Sequence, residues 1–421
     1  MSQSSSVFFV TFVTKNNQKH YTAMKKLIFT LAAVAVALTS SAQHYYTNAN
    51  NPEMLHIGTP RTQQRTNIVI PQINGYNVYK ADLHTHTIYS DAHVSMTVRM
   101  AEAWRDGLDI YAVTEHAEYR PHEKDYIKWL KGYLPEDIKA ENYNLVNKKA
   151  NKNGIKVDLN LPYHLATKSA EKYGLTVIPG IEITRSPSKV GHYNALFIKD
   201  ANSIYDADPE QAIRNAREQG AIIMHNHPGW TRKNLDMIAF EQRVYDQGLI
   251  DGVEIMNGTE FYPKAIDRAK QYNLFMASNT DIHHTTAELY ATNGEFRDMT
   301  LILAKDCSLE SIREALEAKR TLAYSFGTVA GDEELLRALF LASVKFTPTQ
   351  SNKERAYVQL ENNSSIDFII RQGEGANTVV LKRHSSILLR CAKGDGKQIT
   401  IENLWCGADK KVVIDISSYL K

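Results

Sequence analysis

The sequence predicts an α/β fold with a mostly parallel sheet, followed by a small all-β domain. From about Tyr76 to Thr328, short β-branched runs alternate with amphipathic helical stretches, the pattern of strand–helix units. Roughly seven such units in about 250 residues suit a closed barrel better than an open sheet. Beyond Gly327 the helices give way to closely spaced, alternating strands.

In chain order, the first strand leads into "KADLHTHTIYSDAH", Lys80 to His93. "SMTVRMAEAWRDG" reads as a helix ending at Gly107, and "DIYAVTEH" as the next strand. A lysine-rich helical insertion runs from Tyr119 to Tyr173, with a loop near "NKNGIK". The runs "TVIPGIEI", "YNALFI", "AIIMHNH", "GVEIMN", "LFMASNTD" and "MTLILA" are further strands. Between two of them "PEQAIRNAREQG" is a helix, with Asp208 as N-cap, Pro209 in its first turn and Gly220 as its stop. A helix within 329–342 connects the barrel region, 76–328, to the strands of 343–421, where "QGEGAN" and "KGDGK" mark turns. The expected second domain is a β-sandwich.

Residues 24–42 read as a secretory signal peptide: two lysines, an apolar run from Leu27 to Leu38, and a Ser-Ser-Ala cleavage site. That run is too short to span a bilayer, so cleavage after Ala42 and a periplasmic or secreted protein are expected, with a membrane anchor as the alternative. Residues 1–23 read as an over-extended start or a disordered leader, and 43–75 as a linker. The chain is 43% hydrophobic and 23% charged, ordinary for a globular protein, and its formal charge of +2 gives no support to a long nucleic acid or acidic membrane as partner. Cys307, Cys391 and Cys406 are an odd set without CxxC spacing; Cys391 and Cys406 could pair or be ordinary strand residues.

The chemistry lies at the strand ends. His84 and His86, two apart, point to one face of an extended chain, about 7 Å apart. Acids and imidazoles recur at predicted strand termini: His116 ends "YAVTEH", Glu182 lies in "IPGIEI", and His192 opens "HYNALFI". His225 and His227 end "AIIMHNHP", and Asp281 and His283 follow "LFMASN". In a parallel barrel such ends converge at one mouth, where gathered carboxylates and imidazoles call for a metal. There is no nucleophile elbow or Walker loop, so the chemistry rests on metal-activated water.

In these motifs the chain resembles the PHP (polymerase and histidinol phosphatase) superfamily over roughly Tyr76 to Thr328. "DLHTHTIYSD", "VTEH", "GIE", "HNHP" and "SNTDIH" appear in the family's order. The resemblance implies a distorted (β/α)7 barrel, a two- or three-metal centre and hydrolysis of phosphate esters. It implies that His84, His86, Glu182 and Asp281 hold one metal, and that Glu182 bridges to a second completed by His192 and His227. Asp91, His116 and His283 would hold a third. Glu182, Asp281 and His227 are the expected catalytic members. Nitrogen and oxygen donors suit zinc, manganese or iron without choosing among them.

Glu115 stands where the family often has aspartate and is read as supporting the ligands from behind. Of His225 and His227, the one before proline matches the motif; His225 reads equally as a buried neighbour. His93 and His284 read as surface residues. Arg185 is the first candidate for a phosphate clamp, with Arg120 and Arg232 as alternatives, since guanidinium binds two oxygens at once. The expected substrate is a phosphomonoester or nucleotide. The rivals are a nuclease or phosphodiesterase on short oligonucleotides, and a catalytically idle metal-holding module whose β-domain binds a ligand.

Overall fold

The computed structural model describes residues 45–48, 50–57, 64–122, 157–291, 294–352, 354–373, 375–392 and 397–420. The predicted leader and signal peptide, and most of the insertion at 119–173, lie outside these residues. Two compact units are distinguished, Met1–Gln64 and Arg65–Lys421. In the first, strands β1 (Tyr45–Asn48) and β2 (Asn51–Ile57) form an antiparallel hairpin, where a linker was expected.

The second unit contains an α/β portion and a β portion. Strand β3 (Asn77–Asp82) lies parallel to β4 (Ile110–Ala112), and β4 lies parallel to β5 (Thr176–Ile178). After Pro179 the chain continues as β6 (Gly180–Thr184), which pairs with β7 (His192–Leu196). Strand β7 runs antiparallel to both β6 and β8 (Ile222–His225), a departure from the parallel order expected. Parallel pairing resumes from β8 to β9 (Gly252–Asn257); the short β10 (Glu260–Phe261) turns back on β9, and β11 (Phe275–Asn279) follows parallel to it. Strands β8 and β11 are buried along their whole length, so they read as continuous apolar runs rather than alternating ones.

The helices between strands form for local reasons. Ser95 caps Met96–Arg105, its side chain accepting from Val98 N, and Asp106 ends it. Gly107 follows at φ +95°, where an added Cβ would sit 2.8 Å from the Thr66 carbonyl, so a side chain there would meet both strain and a clash. Asp208 caps Pro209–Glu218 by accepting from Glu210 N at 3.0 Å, as the sequence predicts.

Strand β12 (Met299–Ala304) lies antiparallel between β3 and β13 (Thr321–Ser325), which turns into β14 (Thr328–Gly331). Residues 328–331 are therefore strand, and the connecting helix begins later, at Glu333–Ser343, capped by Asp332. The C-terminal strands form two layers. Strands β15 (Val344–Ser351), β16 (Arg355–Asn362) and β19 (Ser386–Ala392) make one antiparallel sheet. The other contains β17 (Phe368–Arg371), β18 (Thr378–Leu381), β20 (Gln398–Gly407) and β21 (Lys410–Asp415). Strand β14 pairs with β20 through Val329 with Leu404 and Ala330 with Trp405, so this layer continues the sheet of the α/β portion. Phe340 of the connecting helix meets Phe368 edge to face at 5.0 Å, in the same apolar cluster as Val358 and Leu360. Cys391 and Cys406 are buried and, like Cys307, free. Among the described residues no helix is long and apolar enough to cross a membrane.

Candidate metal centre

His84 and His86 lie just beyond β3, His116 beyond β4, His227 beyond β8 and Asp281 beyond β11, while Glu182 sits within β6. His192 is the first residue of β7, and because that strand runs backwards its start falls at the end where its neighbours finish. Parallel bridges from His116 to Glu182 and from Thr85 to Ile282 tie these ends together.

The donor atoms converge. His84 Nε2 lies 3.1 Å from His86 Nε2 and 3.3 Å from both Glu182 Oε1 and Asp281 Oδ1. His86 Nε2 is 3.0 Å from Asp281 Oδ1, and His192 Nδ1 is 3.2 Å from Glu182 Oε1. His227 Nε2 is 3.8 Å from Glu182 Oε1 and 3.7 Å from Asp281 Oδ2. Asp91 Oδ1 lies 3.4 Å from His116 Nε2 and 3.2 Å from His283 Nε2. His116 Nδ1 also contacts Glu182 Oε2 directly, so this carboxylate touches both ends of the cluster.

Such spacings fit a metal site. Ligand bonds of about 2.0–2.1 Å place neighbouring donors roughly 2.8–3.4 Å apart in octahedral or tetrahedral geometry. The backs of the rings are already engaged: His84 Nδ1 donates to Glu254 Oε1 at 2.9 Å, His86 Nδ1 to Ser90 Oγ at 3.2 Å, and His283 Nδ1 to the Asp281 carbonyl at 2.7 Å. With Nδ1 so engaged, each Nε2 faces the centre, the arrangement expected of metal ligands. Asp91 Oδ1 and His192 Nδ1 are buried without a hydrogen-bond partner, which a cation would satisfy. Among the described residues three overlapping groups have donors close enough to share an ion: His86, Asp91, His116 and His283; His84, Glu182 and His227; His84, His86 and Asp281.

The electrostatics point the same way. Burial alone would raise the Glu182 carboxyl, but His116, His192 and His84 around it hold it well below the usual range. Asp281 is likewise held down, against burial, by His84, His86 and His227. His116, despite burial, is pushed up to about 10 by Glu182 and Asp91. His86 is pulled down to about 3, by burial and then by the neighbouring imidazoles His116 and His283. Carboxylates this strongly committed to the ionised form suit cation binding.

Several supports were not legible as site residues. Glu254, fully buried in β9, accepts from His84 Nδ1, from His227 N at 2.7 Å and from the side-chain amides of Asn257 and Asn279. Asn226 donates to Glu182 Oε1 at 2.8 Å and to Asn194 Oδ1 at 2.9 Å. Glu115 accepts from Thr87 and Ser90, and Ser90 in turn meets His86, the supporting position its place in the motif suggests. His227 and Asp281 both have positive φ, 25° and 49°, and such strain persists where surrounding bonds enforce it. Here Glu254 holds His227 N, and Asp281 N donates to the His84 carbonyl at 2.8 Å. Glu254→Gln removes the charged acceptor behind His84, and metal affinity should fall by about 10- to 100-fold. Competition against a chromogenic chelator measures this, and an unchanged affinity contradicts the role.

Other candidates fall elsewhere. His225 is buried on Tyr193, with Nδ1 on the Tyr245 hydroxyl at 2.8 Å and Nε2 facing Glu241 Oε1 at 3.2 Å, in none of the candidate ion groups. His93 and His284 are exposed and stack on each other at 5.1 Å. A cavity of about 290 Å³ opens over the centre, walled by Asp91, His116, His192, His227, Asp281 and His283 together with Tyr119 and Trp230. None of the three arginines lines it. Arg185 pairs with Glu118 and donates to the Asp206 carbonyl at 2.6 Å. Arg120 donates to the His116 carbonyl at 2.9 Å, and Arg232 pairs with Glu241 at 2.6 Å and donates to the Pro187 carbonyl. Each guanidinium is taken up by the chain, so the phosphate clamp expected of Arg185, Arg120 or Arg232 is not formed in this cavity.

No protein-family model matches the chain, and no curated protein does. Among solved structures, a two-domain protein from Bacteroides vulgatus containing a predicted PHP-like metal-dependent phosphoesterase is 32% identical, with a TM-score of 0.73 over 84% of this chain and 99% of its own. The lesion-specific endonuclease PfuEndoQ from Pyrococcus furiosus is 18% identical, covers 64% of this chain and 62% of its own, and has a TM-score of 0.36. An amidohydrolase from Chromobacterium violaceum is 15% identical, covers 58% of this chain and 98% of its own, and has a TM-score of 0.34. At those scores neither of the last two bears on function. The first, matched along almost its whole length, carries the conclusion that this chain belongs to the PHP-like metal-dependent phosphoesterases.

Proposed function

We propose that the chain is an exported phosphoesterase that hydrolyses a small phosphomonoester or nucleotide at a centre of two or three divalent ions. The observation that carries this is the convergence of imidazole nitrogens and ionised carboxylates beneath one cavity. Export rests on the signal-like segment at 24–42. The small cavity favours a small ester over a long polymer. The ring of strand ends from β3 to β11, with its two parallel bridges, supports reading the α/β portion as a distorted (β/α)7 barrel.

In this reading His84, His86, Glu182 and Asp281 would hold one ion, His192 and His227 would share Glu182 around a second, and Asp91, His116 and His283 would hold a third. Divalent ions there would activate water and neutralise phosphoryl oxygens. The chain's own work is to keep the donors ready. Glu182 supplies negative charge between the subsites, Asp281 reaches both His84 and His86, and His227 presents its ring to the cavity. Among the described residues no lysine or arginine lines that cavity, so divalent ions there would offset the substrate's charge.

The test is a screen of the purified protein against phosphomonoesters, diesters and dinucleotides, with zinc, manganese or iron added and a chelator control. Chelator-sensitive release of phosphate from a monoester is expected. Preference for diesters would favour the nuclease reading, and no hydrolysis with any metal would leave a metal-holding binding module.

A further inference from the structure

Among the described residues the cavity above the metal centre has no cationic wall, but it has aromatic ones. Trp230 is 43% exposed and Tyr119 55% exposed, and both line the cavity. The Trp230 ring lies 5.3 Å from His227 and 5.5 Å from His192, and the Tyr119 ring 6.0 Å from His116. Two large rings exposed beside one polar cavity offer flat faces on which a ring could pack.

Trp230 is also held in place. Gly229 before it packs so tightly that an added Cβ would lie 2.5 Å from the Tyr262 ring. Trp230 N donates to the His227 carbonyl at 3.0 Å, and Arg232 N to the Gly229 carbonyl at 3.0 Å. The Arg232 guanidinium then grips the Pro187 carbonyl through both Nε and Nη2, fastening this turn to the opposite loop. Arg232, expected to bind phosphate, thus anchors the backbone turn that carries Trp230. A pre-organised ring loses little freedom on binding and stacks with any flat partner.

We propose that Trp230 and Tyr119 select the leaving group: the preferred ester carries a flat ring, aryl or nucleoside, that packs on these side chains while its phosphoryl group faces the metal ligands. This rests on the phosphoesterase reading, and it adds a specificity that the metal centre cannot supply. A metal centre there would engage the phosphoryl group, which every phosphate ester shares, so the aromatic walls are what could tell one leaving group from another.

The experiment has a binding arm and a kinetic arm. Tryptophan fluorescence of the purified protein is followed while adenosine 5′-monophosphate, phenyl phosphate or glycerol 3-phosphate is added. Saturable quenching by a ring-bearing ester, absent with glycerol 3-phosphate and lost in Trp230→Leu, is expected. In the kinetic arm, Trp230→Ala lowers the ratio of kcat/KM for a ring-bearing ester to that for glycerol 3-phosphate by about 10- to 100-fold, the scale of base–aromatic stacking. Trp230→Phe recovers most of the loss, and Tyr119→Ala acts in the same direction. A preference between the adenosine and phenyl esters distinguishes nucleoside from simple aryl substrates. An unchanged ratio in Trp230→Ala, with hydrolysis intact, overturns the selectivity and leaves the phosphoesterase reading standing. Quenching that depends on Trp230 without hydrolysis of any ester supports the ring contact and sinks the phosphoesterase reading instead.

Discussion

Glu182→Gln is expected to lower phosphomonoester hydrolysis by at least about 100-fold, because it undoes activation of water at more than one subsite. Glu182 is buried and contacts His84, His116 and His192 at once, so it is the point where the donor groups meet. The substitution keeps the side chain's shape but removes the negative charge that these imidazoles stabilise, and an amide is a poor replacement for a carboxylate donor. Metal content should fall with activity, and the fold should persist because the carbon skeleton still fills its place. Elemental analysis beside a phosphate-release assay reads both effects. Full metal content with full activity would remove Glu182 from its bridging role.

Arg297→Met is expected to destabilise the protein by about 3–5 kcal/mol, the scale of breaking a buried ion pair on one side only. Arg297 and Asp82 are almost wholly buried and paired at 2.5 Å. Asp82 ends β3, and its carboxylate accepts from His84 N at 3.2 Å, from Thr280 N at 3.2 Å and from Thr280 Oγ1 at 2.6 Å. The pair therefore clips together the strand ends that carry His84 and Asp281. With the guanidinium gone, Asp82 is an uncompensated buried charge beside an already acidic site. Urea unfolding measures the loss, and in the double variant with Asp82→Asn the cost should be smaller than the sum of the two single costs. A loss below about 1 kcal/mol would mean that the pair is as weak as an exposed one.

Most of the converging donors were open to reading in the sequence because they sit in short motifs near strand ends, and strand ends are visible as the close of an apolar run; Glu182, within β6, is the exception. Direction was harder to see. Alternating runs do not say which way a strand points, yet the seven residues 185–191 between β6 and β7 are too few for a parallel crossover, which needs about a dozen. That short link was the available sign of an antiparallel β7. Glu254 was hidden inside "GVEIMN", a run read only as a strand; a lone acid in a fully buried strand needs partners, and that was its signal. The arginines show that proximity in sequence is not direction in space. Arg185 follows β6 closely but is drawn to Glu118, whose carboxyl burial pushes up to about 7 despite that guanidinium. The pairing of β14 with β20 joins segments more than seventy residues apart, which no local pattern records.

The measurement that bears most directly on the central claim is elemental analysis of the purified full chain, before and after reloading with zinc, manganese or iron. Two or three ions per chain are expected, reduced when Glu182 is replaced by glutamine. Fewer than one ion per chain after reloading would contradict the metal centre and, with it, the proposed chemistry.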